Sequence, residues 1–136
     1  VAARKDPLSG NLDRIQIIKG WLDDDGDTQE RVYDVAWGDA DTRQPGTDGK
    51  VPPVGNTVDV ANALWTNTFG DPELMTVGAD PVFDPDKRAF YYARVIEIPT
   101  PRWTAYEAKF YGIEAPAESP MTTQERAYTS PIWYTP

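Results

Sequence analysis

Asp13 to Gly38 runs DRIQIIKGWLDDDGDTQERVYDVAWG, two alternating apolar runs on either side of an acidic turn. In the first run Ile15, Ile17 and Trp21 fall on one face, with Lys19 interrupting it. In the second, Tyr33, Val35 and Trp37 share a face. A period of two is the strand period, because successive side chains leave opposite faces of an extended chain. Asp25-Gly26 supplies the backbone freedom of a tight turn, so the stretch reads as a β-hairpin. Lys19 is expected to point outward, its stem along the apolar face and its ammonium in water.

Working outward, residues 39–56 hold Pro45-Gly46, Asp48-Gly49, Pro52-Pro53 and Gly55 and read as loop. Thr57 to Thr68 returns to a strand pattern, with Val58, Val60 and Leu64 on one face and Ala61, Ala63 and Trp65 on the other. After the turn Gly70-Asp71-Pro72, Glu73 to Val77 suits a short strand. Ala89 to Ile98 is β-branched and aromatic, with apolar residues on both faces, and reads as a central strand. Tyr91 and Tyr92 follow a polar corner, in the manner of the tyrosine corner of Greek-key sandwiches. Thr104 to Tyr111 can form a short helix. Ala127 to Tyr134 reads as the last strand, with Pro131 demoting it to an edge or bulged position. The sum is an all-β domain over residues 1–136, an immunoglobulin- or fibronectin-like sandwich. A long, partly helical insertion, of a length unusual for a connection, precedes its last strand.

The chain of 136 residues has 13 bases, 22 acids and a net charge of −9. Binding to nucleic acid by phosphate neutralisation, or to an anionic membrane, calls for the opposite sign. No apolar run approaches the roughly 18–20 residues of a membrane-spanning helix. The start, Val1-Ala2-Ala3-Arg4, has neither an initiator Met nor the pattern of a signal peptide, and fits a fragment of a longer protein. There is no His and no Cys. Serine or cysteine nucleophiles activated by His, thiol redox chemistry and the common zinc sites are thereby excluded. Carboxylates, five lysines, tyrosines or an oxygen-liganded metal are what is left for chemistry. Composition therefore points away from an enzyme, and no cofactor is expected.

Candidate sites are few. Residues 23–48 carry nine acids against two bases, so the acidity is local to the hairpin turn and the loop after the hairpin. Asp23, Asp25 and Asp27 alternate as Ca²⁺ ligands can, but an EF-hand needs its Gly at the sixth position, where Thr28 stands. A solvated turn explains the same residues more simply. Among 22 acids no spacing selects the paired carboxylates of a glycosidase. Arg102-Trp103 lies on a proline-stiffened loop, followed by Tyr106, Phe110 and Tyr111. Arg beside aromatics is a common composition of interaction surfaces. The competing reading folds those rings back over the core, and both hold if the partner is a neighbouring domain.

Four stretches carry a resemblance: Asp13–Gly38, Val54–Val60 (VGNTVDV), Asp80–Thr104 (DPVFDPDKRAFYYARVIEIPTPRWT) and Thr122–Pro136 (TTQERAYTSPIWYTP). They resemble the C-terminal end of a bacterial family, domain of unknown function 3604. The family's larger upstream part resembles metal-dependent phosphoesterases of the polymerase-and-histidinol-phosphatase type, with metal ligands that are mostly His and Asp. Related metallohydrolases end in similar strands, here Phe90–Val95 and Ala127–Trp133. The resemblance implies a non-catalytic C-terminal accessory domain whose partner is the upstream hydrolase-like domain of the same chain. It also implies a periplasmic or exported location. No catalytic residue of the family maps onto this chain. The interaction residues expected are Arg102, Trp103, Tyr106 and Tyr111. The alternative is an independent module binding a carbohydrate, or calcium at the acidic hairpin.

Overall fold

A computed structural model describes residues 1–136. The protein is mostly β, built from antiparallel sheets and one short helix. The hairpin is formed by β2 (Leu12–Leu22) and β3 (Thr28–Trp37), and Gly26 at its tip takes φ +86°. β5 (Ala89–Glu97) pairs antiparallel with β2 along nearly its whole length and is the second central strand of the sheet. The far side of β5 is met by two short strands, β8 (Arg126–Tyr128) and β9 (Ile132–Tyr134). The single last strand expected over 127–134 is thus split. Proline has no N–H to donate, and the break falls at Thr129–Pro131. Thr129 bridges it, its hydroxyl accepting from the Ala93 N–H at 3.0 Å.

Two small ribbons complete the fold. β1 (Ala2–Arg4) pairs with β4 (Glu73–Met75), and β6 (Thr100–Pro101) with β7 (Thr122–Thr123). The ribbon β1–β4 packs on one face of the sheet, where Leu12, Ile15 and Leu74 form a buried cluster flanked by Ala3, Val35, Ala36 and Val95. The helix α1 (Trp103–Tyr111) lies between β6 and β7 in the chain, within the long connection. It is too short to cross a membrane, and no other helix exists to do so.

Thr57–Thr68 is not a strand. It is loop, with one isolated antiparallel bridge between Asp59 and Leu64. The Asp59 carboxylate accepts from the backbone and side-chain nitrogens of Asn62 at 3.1 and 2.7 Å, a local alternative to a ladder. The following Ala63 takes φ +48°, which no strand residue adopts. The loop 39–56 is held to the sheet by buried Arg43, which donates to Asp13 Oδ1 at 2.6 Å and to the carbonyls of Gly38 and Pro52.

The two faces of the sheet differ. Register places Ile15, Ile17, Lys19, Tyr91 and Val95 on the face that packs against the ribbon and the 76–85 loop. The other face carries Gln16, Ile18, Gly20, Phe90, Tyr92 and Arg94, extended by Arg126, Tyr128 and Trp133. No second sheet lies over it.

Candidate functional site

The helix places the expected interaction residues. Proline at 101 and extended Arg102 (φ −76°, ψ 162°) start α1, whose first turn has no side-chain cap. Ala105 is fully buried and anchors the inner side. Trp103, Tyr106 and Phe110 are spaced three and four apart, so they share one face of the helix. That face points into solvent: Trp103 is 59% exposed, Tyr106 45% and Phe110 81%. Tyr111 sits on the flank, its ring edge-on to Phe110 at 5.0 Å between centroids. Arg102 lies at the helix start with its guanidinium 5.9 Å from the Trp103 ring centroid. The helix therefore brings Trp103 and Tyr106 together, adds Phe110, and keeps Arg102 and Tyr111 at the margins. The rings do not fold back over the core.

The acidic turn is arranged otherwise. Asp23 Oδ1 accepts from the N–H groups of Asp25 and Asp27 at 3.1 and 2.9 Å, and Oδ2 from the Gln29 amide at 2.7 Å. These bonds hold the Asp23 carboxyl below its ordinary value, the Asp27 N–H contributing most. Asp24 pairs with Lys87 at 2.8 Å. Asp23, Asp25 and Asp27 are not gathered around one point; no three carboxylates in the chain are.

Sequence reasoning missed a buried cluster, and Lys19 corrects it most sharply. Lys19 does not reach into water but is 5% exposed, its Nζ donating to Asp80 Oδ2 at 2.6 Å and to the Val82 carbonyl at 3.0 Å. Asp80 also accepts from the Tyr33 hydroxyl (3.1 Å), the Tyr91 hydroxyl (2.8 Å) and the Val82 N–H (3.0 Å). Four donors thus fill the four lone-pair positions of one carboxylate. Burial pushes the Asp80 carboxyl up, but the bonds from Lys19, Val82, Tyr91 and Tyr33 outweigh it and lower its pKa to about 2. Burial, reinforced by the Asp80 charge, raises Tyr91 well above the phenol range. Burial likewise raises Tyr33. A saturated carboxylate has nothing left with which to take a proton or a metal. The cluster acts as a clasp that ties the 76–85 loop to β2, β3 and β5. Tyr91 does bond back to the loop before its strand, as a tyrosine corner does, but its acceptor is a side-chain carboxylate.

A second network missed from sequence joins Asp13, Arg14, Asp34 and Arg43. Arg14 donates to Asp13 at 3.2 Å, to Asp34 at 3.0 Å and to the carbonyls of Val51 and Pro52. Apart from the adjacent Asp13 and Arg14, the members of this network lie far apart in sequence, so no local signal marks it.

The model of the family described as "Protein of unknown function (DUF3604)" matches residues 1–136. No curated protein and no solved structure matches the chain.

Proposed function

The chain belongs to the DUF3604 family, and from that premise we propose that residues 1–136 form a non-catalytic accessory domain at the C-terminal end of a metal-dependent hydrolase. Its physical task is to dock, through α1, against the hydrolase-like unit upstream and so brace that unit's site. The observation that carries this reading is the aromatic face of Trp103, Tyr106 and Phe110, which no part of this chain covers. Large rings on a short helix, beside an arginine, have the composition of interface anchors. Only Ala105 of the helix is buried, so the sequence of α1 serves something other than its own packing. Within the same reading the fold is a reduced immunoglobulin- or fibronectin-like sandwich, with the ribbon β1–β4 standing where a second sheet would pack. The antiparallel central sheet and the Tyr91 bond to the preceding loop support this. The relation to phosphoesterases of the polymerase-and-histidinol-phosphatase type rests on the resemblance of the four sequence stretches.

The test is a hydrolase assay with Mn²⁺ and Zn²⁺ on generic phosphoesters. It is run on residues 1–136 and on the chain extended upstream. Turnover confined to the extended chain is expected. Turnover by residues 1–136 after repurification would contradict the accessory role.

A further inference from the structure

The uncovered sheet face carries two hollows, one at each end, joined by a row of rings. At one end a hollow of about 580 Å³ is lined by Phe90, Trp133, Leu22, Gln29 and Glu30. At the other, a hollow of about 590 Å³ is lined by Arg94, Arg126, Gln16, Gln124 and the ion pair Asp13–Arg14. Between them the rings run in contact: Trp133 to Phe90 at 5.2 Å, Phe90 to Tyr92 at 6.4 Å and nearly parallel, Tyr92 to Tyr128 at 6.3 Å. Trp133 is 70% exposed and Tyr128 57%. Gly20 fixes this layout. A Cβ there would lie 2.3 Å from the Phe90 ring, so the missing side chain lets Phe90 lie down on the sheet. From the Phe90–Trp133 pair to the Ile96–Arg126 pair the row spans about 20 Å of strand.

The charges at the two ends differ. Arg14 is consumed by Asp13 and Asp34, and Arg43 by Asp13. Arg94 and Arg126 enter no ion pair. Arg94 Nε donates to Gln16 Oε1 at 2.8 Å, which aims the guanidinium and leaves its terminal nitrogens free. Arg126 stands diagonally across from it on the same face, opposite Ile96. Two unpaired guanidinium groups, in a chain of net charge −9, make one local anion site. The far end holds Glu30, next to the acidic turn, together with a single arginine, Arg88.

We propose that this face binds an oligosaccharide carrying a uronic-acid residue, its sugar rings lying on Trp133, Phe90, Tyr92 and Tyr128 and its carboxylate between Arg94 and Arg126. Flat amphipathic rings with exposed faces suit the apolar side of a pyranose. The hollows supply polar side chains at the ends, where hydroxyls need partners. The pair of guanidinium groups orients the ligand, placing its anionic residue at the Arg94–Arg126 end and not at the end where Glu30 stands beside a single Arg88. A long polyanion such as single-stranded nucleic acid fits less well. The overall charge repels it, and the face offers only Arg94 and Arg126 at one end and a single Arg88 at the other. The inference concerns a different surface from α1 and does not rest on the docking role.

The experiment titrates the chain with short uronate-containing oligosaccharides, neutral oligosaccharides of the same length and a single-stranded oligonucleotide, followed by calorimetry and Trp fluorescence. Saturable binding of the uronate ligand, stronger than that of the neutral one, is expected. Arg126→Gln should erase that preference, a loss of about tenfold, while leaving the neutral ligand unaffected. Trp133→Ala should weaken both sugars. Both side chains are exposed, so both variants should keep the melting temperature of the parent chain. Absence of saturable uronate binding, equal binding of both sugars, insensitivity to both variants, or preference for the oligonucleotide would overturn the proposal.

Discussion

Tyr91 and Tyr92 are neighbours on β5 and face opposite worlds. Tyr91 points to the clasp, where its hydroxyl is bound to Asp80 at 2.8 Å beside a buried lysine. Tyr92 points to the other face, its ring beside those of Phe90 and Tyr128 in the row and its position opposite buried Ile18. One residue of strand rise separates a hydroxyl bound into the clasp from a ring that lies in the aromatic row. In the clasp Asp80 is saturated and paired with Lys19, while Arg31, opposite Lys19 on the same face, enters no ion pair. On the open side aromatic area and two guanidinium groups are left over. The same contrast recurs in α1, where buried Ala105 faces inward and Trp103 outward. Unspent apolar area and unpaired charge in one place, beside full satisfaction in another, separate surface kept for binding from surface used in folding.

The contrast breaks most visibly at Asp80. Asp80→Ala strands the Lys19 ammonium, 5% exposed, and two tyrosine hydroxyls without their acceptor. A loss of about 3–5 kcal/mol in urea unfolding is expected, because removal of one member leaves an unpaired buried charge. A loss below about 1 kcal/mol would mean that the clasp holds nothing. Acid should act on the same group. The folded pKa of about 2 lies below the ordinary carboxyl value of 3.8, so its contribution is complete above pH 4 and lost as pH falls toward 2. That contribution is of order 2 kcal/mol, and Asp80→Asn should flatten this part of the stability–pH curve.

Gly20→Ala comes next. Its Cβ would push the Phe90 ring off the sheet, at a cost of about 1–3 kcal/mol. It should change the near-UV circular dichroism of the aromatic row. Unaltered spectra would show that the ring does not lie on Gly20. The smallest effect belongs to Trp133→Ala on the open side, within about 0.5 kcal/mol of the parent stability. A loss as large as that of Asp80→Ala would erase the distinction between the two faces.

Much of the scaffold was legible in the sequence. β2 and β3 follow from alternation, β5 from its β-branched and aromatic composition, the turn from Asp25-Gly26 and the helix from residues 104–111, because each is specified by neighbours in the chain. The reading failed where small apolar residues alternate without being buried as a strand: Val58, Val60 and Ala61 lie on a loop shaped by Asp59 and Asn62. It failed at Lys19 because the partner carboxylate is 61 residues away, a distance across which local pattern carries no information. The aromatic residues of 102–111 were visible as a composition, but whether they cover the core or face outward is decided by packing. Arg94, Arg126 and the ring row needed the register of three strands to be seen as one surface.

The most direct measurement compares the cost of Trp103→Ala in residues 1–136 alone and in the chain extended upstream, by thermal unfolding. Trp103 is 59% exposed here, so the isolated domain should lose no more than about 0.5 kcal/mol. The extended chain should lose at least about 2 kcal/mol, as an interface anchor does. Equal losses in the two contexts would contradict docking through α1 and with it the accessory role.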